Sequence, residues 1–182
     1  MHKEANDMSI LNKATVCLLE LNQGPLVKTK WVKLVFFIEA YRYCKNQNRT
    51  FPELQFIKMP NGPAFSGYDV KLEELEAENL IRVQKSAGYN LNINTKIELI
   101  DPTILSEIEP DLKAEIENVF HYFKEKLTPW ISNFSHTMDI WKKAEMWDPL
   151  DFNLLLSDSG IQLQTIQAKN IRDLIDQKIQ IP

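Results

Sequence analysis

The chain has few of the residues on which catalytic and metal sites depend. Its 182 residues include five glycines, three histidines and two cysteines. The sequence contains no G-x-x-x-x-G-K-[ST] phosphate loop, no G-x-G-x-x-G dinucleotide fingerprint, no H-E-x-x-H and no C-x-x-C. These absences argue against nucleotide-dependent and metal-dependent chemistry. We therefore expect a protein that is not an enzyme, with no metal site and no cofactor.

Long apolar runs and paired cysteines are also missing. No stretch approaches the roughly 18 consecutive apolar residues of a membrane-spanning helix, and the charged residues 1–7 lack the apolar region of a secretory signal. Cys17 and Cys44 each lie in an apolar run, where a small buried side chain is expected rather than a disulfide. These features predict a cytoplasmic protein without a membrane partner.

Charge is unevenly distributed along a chain whose net charge is −4. Residues 2–58 carry nine Lys and Arg against five Asp and Glu, whereas residues 69–117 carry five against twelve. Such asymmetry is typical either of solvated helix faces or of oriented association with a charged partner.

Apolar periodicity predicts a mainly helical fold. Helices are expected over residues 10–22 after a Ser9 cap, over 27–47 with most of the circumference buried, and over 110–127 after Pro110. Another is expected from Thr128, with an apolar face formed by Trp130, Phe134, Met138 and Trp141. A capping box, Ser66-x-x-Asp69, is expected to begin a further helix near Tyr68.

Two segments alternate apolar and polar residues with a period of two, residues 81–84 and 89–94. They predict an antiparallel hairpin, and residues 96–100 are expected to add a short strand. A helix followed by a hairpin is winged-helix-like. The predicted class is thus mainly α with a small antiparallel β-hairpin (α+β), inside a compact helical domain over residues 1–152. Residues 153–182 are expected to form a C-terminal extension with one amphipathic helix.

Three motifs occur in order along the chain. They are the helical segment Lys33-Leu34-Val35-Phe36-Phe37-Ile38-Glu39, the loop Met59-Pro60-Asn61-Gly62-Pro63-Ala64-Phe65, and the pair Ser135-His136 followed by Trp141. In the loop, two prolines remove amide donors and fix the backbone, and Gly62 is expected to be extended because it precedes a proline. A loop of this kind either caps a core or is presented to a partner.

The motifs resemble the Panacea domain, the SocA-like, phage-associated antitoxin family. Its pattern reads K-L-[LV]-Y-[FL]-x-[DE], then G-P-[VA], then S/T-H-x4-W, and the resemblance spans residues 10–152. It implies a bacterial antitoxin that binds and neutralises a cognate toxin. It also implies structural roles for Lys33, Leu34, Phe36, Glu39, His136 and Trp141. Phe36 departs from the pattern, which usually has Tyr at this position.

Partner-binding residues are predicted at the loop and at one tryptophan. They are Met59, Asn61, Gly62, Pro63, Phe65 and Trp147, the last because it closes a helix and is the tryptophan most expected to be exposed. Other interpretations stay open: a proteolytic adaptor for a toxin, a DNA-binding regulator that uses the wing, and a hydrolase built on Ser135, His136 and Asp139. The helix before the wing is acidic, which disfavours a nucleic-acid partner.

Overall fold

Helices form most of the structure, a computed structural model that describes residues 9–88 and 93–156. The α-helices are α1 Ile10–Asn22, α2 Lys28–Asn46, α3 Tyr68–Ala77, α4 Pro110–Phe123, α5 Thr128–His136 and α6 Asp139–Lys142. The strands are β1 Leu26–Val27, β2 Phe56–Ile57, β3 Ala64–Phe65, β4 Ile81–Ala87 and β5 Ile93–Leu99. Short 3₁₀ helices lie at Thr103–Glu107 and Phe152–Leu155. The predicted class, mainly α with a small antiparallel β component, is confirmed.

Helix α2 lies at the centre of the core. Every residue from Trp31 to Tyr41 is buried, so this helix has no solvated face along its middle, as its sequence predicted. Helices α1, α4 and α5 and strand β3 pack around it. The Trp31 indole is satisfied because Nε1 donates to Thr15 Oγ1 at 3.1 Å. Each apolar side chain buried here contributes about 1.5 to 3 kcal/mol to the free energy of unfolding.

The larger sheet is antiparallel with strand order β1–β5–β4. Ile97 on the central strand β5 is opposite Leu26 on β1 and Val83 on β4, and it is fully buried. The smaller sheet pairs β2 with β3, placing Phe56 opposite Phe65. Both rings are buried and contact each other edge to face, which fixes the end of the Gly-Pro loop to the core.

Several elements match the sequence predictions. Helix α1 has the predicted bounds, and Ser9 Oγ accepts from the Asn12 amide as its cap. Helix α4 begins at Pro110 and buries its predicted apolar stripe up to Phe123. Leu127 lies beyond that helix and is exposed. Cys17 is buried, which raises the pKa of its thiol to about 11, and it is a free thiol.

The β4–β5 hairpin was predicted, although the position of its second strand was not. Strand β5 starts at Ile93, which is exposed, and its buried residues are Thr95 and Ile97. Residues 89–92 lie outside the described residues. Helix α3 leads directly into this hairpin, but its N-cap is Gly67 and no side chain caps it, so the capping box at Ser66 was wrong.

The helix predicted from Thr128 is interrupted. Helix α5 ends at His136 and α6 begins at Asp139, with Met138 buried between them. Trp130, expected on the apolar face of this helix, is 40% exposed.

The packed core continues past residue 152, since both Phe152 and Leu155 are buried. Residues 157–182, which include most of the predicted extension and its helix, lie outside the described residues. Across residues 9–88 and 93–156, no helix combines the length and the apolar character needed to span a bilayer.

Candidate functional site

The three sequence motifs meet at one junction, whose centre is the Lys33 ammonium group. Lys33 lies on the first half of α2, is 2% exposed, and donates from Nζ to the Pro63 carbonyl oxygen at 2.6 Å. Burial lowers the pKa of this lysine to about 7, because the charged form loses its hydration. Helix α2 and the Gly-Pro loop are therefore joined by a buried hydrogen bond from a side chain that titrates near neutral pH.

Gly62 allows the loop to approach this close. Its φ is +95°, in the left-handed region, so the extended geometry expected before a proline was wrong. The Gly62 amide donates to the Met59 carbonyl at 2.9 Å and closes a tight turn. A Cβ atom at Gly62 would lie 2.2 Å from Ser135 Oγ and 3.2 Å from Lys33 Nζ. Both the backbone conformation and the space therefore require glycine.

The Ser135-His136 pair contacts the loop from the end of α5. Ser135 is fully buried and its hydroxyl donates to the Ser132 carbonyl at 2.7 Å. The His136 ring stacks on Trp141, with centroids 4.0 Å apart and an angle of 20° between the planes. Burial, and then the charges of Lys33 and Lys58, lower the pKa of His136.

His136 Nε2 is buried and has no hydrogen-bond partner among the described residues. Within the described part of the chain, this nitrogen therefore adds no hydrogen bond to the structural role that the resemblance implies for His136. The expected packing role agrees with the stack on Trp141.

Trp141 and Lys58 hold the first part of the loop. Trp141 Nε1 donates to the Met59 carbonyl at 3.2 Å. Lys58 Nζ lies 4.3 Å from the centre of the Trp141 ring and donates to the Ala144 carbonyl at 2.8 Å. These contacts of Lys58 were not predictable from the sequence, because a lysine beside a loop has the pattern of an ordinary solvated residue.

The acid–base cluster considered from the sequence is not assembled. Asp139 pairs with Lys143 at 2.8 Å, and this contact lowers the pKa of its carboxyl group. The Ser135 hydroxyl is bonded to a carbonyl oxygen rather than to His136. Within residues 9–88 and 93–156, no group of His, Cys, Asp and Glu side chains is arranged to hold a metal ion.

Glu39, at the other end of the first motif, has a complete set of partners. Its carboxylate is fully buried and accepts from Arg49 Nε, from the Thr50 amide at 3.1 Å and from the Phe51 amide at 2.7 Å. Arg49 also donates to the carbonyl of Leu54 at 2.9 Å. This cluster fixes the segment after α2 and matches the structural role that the resemblance implied for Glu39.

The predicted partner-binding residues fall into two groups. Gly62, Pro63 and Phe65 are buried, so they hold the loop in place. Asn61 and Trp147 are exposed, and Met59 is half-buried. We use the term loop rim for the surface residues Met59, Pro60, Asn61, Met146 and Trp147. Whether the loop rim binds a partner stays a prediction.

Trp147 is held in an unusual backbone conformation on the loop rim. It is 58% exposed with φ at +74°, which is rare for a bulky side chain. Its amide donates to the Lys58 carbonyl at 2.9 Å, and the Lys58 amide donates to the Asp148 carbonyl at 3.0 Å. These two hydrogen bonds attach Trp147 to the residue that precedes the Gly-Pro loop.

The remaining motif residues lie in the core or at its edge. Leu34 and Phe36 are fully buried, and the Phe36 ring contacts Phe56 edge to face at 5.7 Å. His136 and Trp141 are half-buried.

Comparison with known proteins identifies one family. The protein-family model described as "Antitoxin SocA-like, Panacea domain" matches residues 32–142. No curated protein and no solved structure matches the chain significantly. The matched range contains Lys33, Gly62 and Trp141, and it ends before Trp147.

Proposed function

The chain belongs to the SocA-like antitoxin family with the Panacea domain, and we propose that it neutralises a cognate toxin by binding the toxin protein directly. The observation that carries this proposal is the family match over residues 32–142, together with the junction at which the three motifs of that range meet. Neutralisation by binding needs a rigid scaffold and a recognition surface, and it needs no catalytic group.

The loop rim is the surface that we assign to the toxin. The Met59 carbonyl accepts from the Gly62 amide and from Trp141 Nε1, and the Trp147 amide donates to the Lys58 carbonyl. Because the backbone of the rim is held in this way, little backbone conformational entropy is lost when it is immobilised in a complex. Exposed tryptophans anchor protein interfaces more often than most residue types do. A non-glycine residue in the left-handed region carries about 1 to 3 kcal/mol of strain, which clusters at functional positions, and Trp147 is such a residue.

Nucleic acid fits the surface around the hairpin less well. Helix α3, which precedes the hairpin, carries Asp69, Glu73, Glu74 and Glu76 against Lys71 alone, and its C-cap is Glu78. A helix of this charge in the major groove would be repelled by phosphates. We therefore propose a protein partner rather than DNA.

The direct test expresses the gene adjacent to this chain's coding sequence, alone and together with the chain. Alone it should stop growth, and co-expression should restore growth and give a complex that elutes as one species on size exclusion. Trp147→Ala should weaken the complex, whereas Trp130→Ala, which removes a partly exposed tryptophan at the start of α5, should not. An equal loss of toxin affinity in both variants would show that the loop rim is not the toxin-binding surface. An adjacent product that neither stops growth nor binds would contradict the antitoxin role.

A further inference from the structure

Lys33 is a deeply buried lysine. Lysine is almost never fully buried unless it is paired, because removing an ammonium group from water is costly. Among the described residues, no carboxylate pairs with Lys33, and the acceptor of its hydrogen bond is the neutral Pro63 carbonyl. An ammonium group can donate three hydrogen bonds. The Lys33 ammonium group therefore has hydrogen-bond donor capacity beyond the one bond to the Pro63 carbonyl.

A small cleft runs beside this lysine. Helix α2 contributes Lys28, Val32 and Lys33 to one wall, and the Gly-Pro loop contributes Met59 and Asn61 to the other. The cleft has a volume of about 100 Å³. Sites for drug-sized ligands and cofactors measure about 300 to 1,000 Å³, and one water occupies about 30 Å³ of liquid. The cleft is therefore too small for a nucleotide and large enough for a carboxylate on a short aliphatic stem.

Positive charge lines the cleft. Lys28 and Lys33 both contribute to its lining, and among the described residues no carboxylate does. Lys28 pairs with Asp69 at 2.9 Å, and that carboxylate lies outside the lining. The charge of Lys58 also reaches this junction, since it acts on His136 together with the charge of Lys33. The described lining of the cleft therefore favours an anion.

We propose that this cleft binds a carboxylate group of the toxin, an Asp or Glu side chain inserted beside the loop rim, with Lys33 Nζ as its ion-pair partner. This inference rests on the proposed function, since it names the chemistry by which the toxin is recognised. A carboxylate next to Lys33 favours the charged ammonium form. Binding of the carboxylate near neutral pH is therefore coupled to the uptake of a proton by Lys33.

The test uses acetate as the probe and the free, full-length chain. The Nζ resonance of Lys33 is followed by NMR through a pH titration in acetate, in chloride at equal ionic strength, and in chloride with acetamide, a neutral molecule of similar shape. Acetate should raise the apparent pKa of Lys33 by about one unit. A shift of this size means that acetate binds the protonated lysine about tenfold more tightly than the neutral lysine. Acetamide should leave the pKa unchanged, and the resonance should be absent in Lys33→Met.

Two outcomes would overturn the inference. One is a Lys33 pKa that does not move in acetate, and the other is an equal shift in acetate and acetamide. Lys71→Ala serves as the positional control, because Lys71 pairs with Glu74 on α3 outside the lining of the cleft and its loss should leave the acetate shift in place. If the toxin binds but acetate does not act on Lys33, the carboxylate cleft fails and the antitoxin role stands. If acetate acts and no toxin binds, the antitoxin role fails.

Discussion

Helix α2 carries two buried ionisable groups of opposite sign, and their surroundings differ. Glu39 accepts one ion-pair hydrogen bond and two amide hydrogen bonds, from a segment that follows closely in the chain. Lys33 donates to one neutral carbonyl in the Gly-Pro loop and lies beside a cleft. Both residues are nearly inaccessible to solvent. Burial alone therefore does not separate a structural ion from a candidate binding group.

The number of partners does separate them. A buried charge with all its hydrogen bonds satisfied stabilises one conformation, so its role is structural. A buried charge with unused capacity lowers stability unless something binds to it, and such groups concentrate at functional sites.

The Glu39 cluster should be the most sensitive to substitution. Glu39→Gln removes the ion pair with Arg49 and leaves one of two buried amides without an acceptor. We expect a loss of about 3 to 5 kcal/mol in the free energy of unfolding, measured by urea denaturation. Glu53→Gln, at an exposed position, should change it by less than about 0.5 kcal/mol. Equal losses in the two variants would contradict a structural role for Glu39.

Substitution of Gly62 should cost somewhat less. Gly62→Ala places a methyl group 2.2 Å from Ser135 Oγ in a backbone conformation that alanine rarely adopts. We expect a loss of about 2 to 3 kcal/mol in thermal unfolding. Gly24→Ala is the matched control, because a Cβ there meets no atom within 4 Å. Adding Ser135→Ala should recover part of the loss by removing the clashing oxygen, and no recovery would show that this contact is not the cause.

Lys33 should make stability depend on pH in a defined direction. Its folded-state pKa is lowered to about 7 from 10.5. Between these pH values Lys33 is protonated in the unfolded chain and neutral in the folded chain. The cost of burying the charged lysine is thus fully present below pH 7 and is relieved as the pH rises. From pH 7 to 9 the wild-type chain should gain about 2 kcal/mol relative to Lys33→Met. Parallel stability curves for the two chains would contradict this assignment.

The smallest effect is expected at His136. Its main contact is the stack on Trp141, which typically contributes about 0.5 to 1.5 kcal/mol beyond the area it buries. His136→Ala should therefore lose about 1 to 2 kcal/mol in thermal unfolding. His136→Phe keeps a flat ring and removes the buried unpaired Nε2, so it should stay close to the wild-type value. A Phe variant as unstable as the Ala variant would show that the nitrogen, and not the stack, is what matters.

Local periodicity was sufficient to predict the helices and the cap. Ser9 is the N-cap of α1, and Pro110 is the first residue of α4. The apolar stripe of α4 repeats without interruption. The break after His136 was hidden because the apolar spacing continues through Met138 and Trp141.

Contacts between distant segments were not predictable in this way. The pairing of Leu26 with Ile97 joins the two-residue strand β1 to β5, which lies far away in the sequence. The close approach of Ser135 to Gly62 and the contact of Lys58 with Trp141 each join segments that are far apart in the chain. The resemblance identified the motif residues, but the geometry was needed to show that Lys33 and Glu39 differ in their partners.

Toxin affinity measured on Lys33→Met and Glu39→Gln, side by side and corrected for the folded fraction, tests this contrast most directly. We predict that Lys33→Met weakens toxin binding by at least about tenfold, or 1.4 kcal/mol, while Glu39→Gln binds normally per folded molecule. Normal binding by Lys33→Met, or equal weakening in both variants, would contradict the assignment of one buried ion to the fold and the other to the partner.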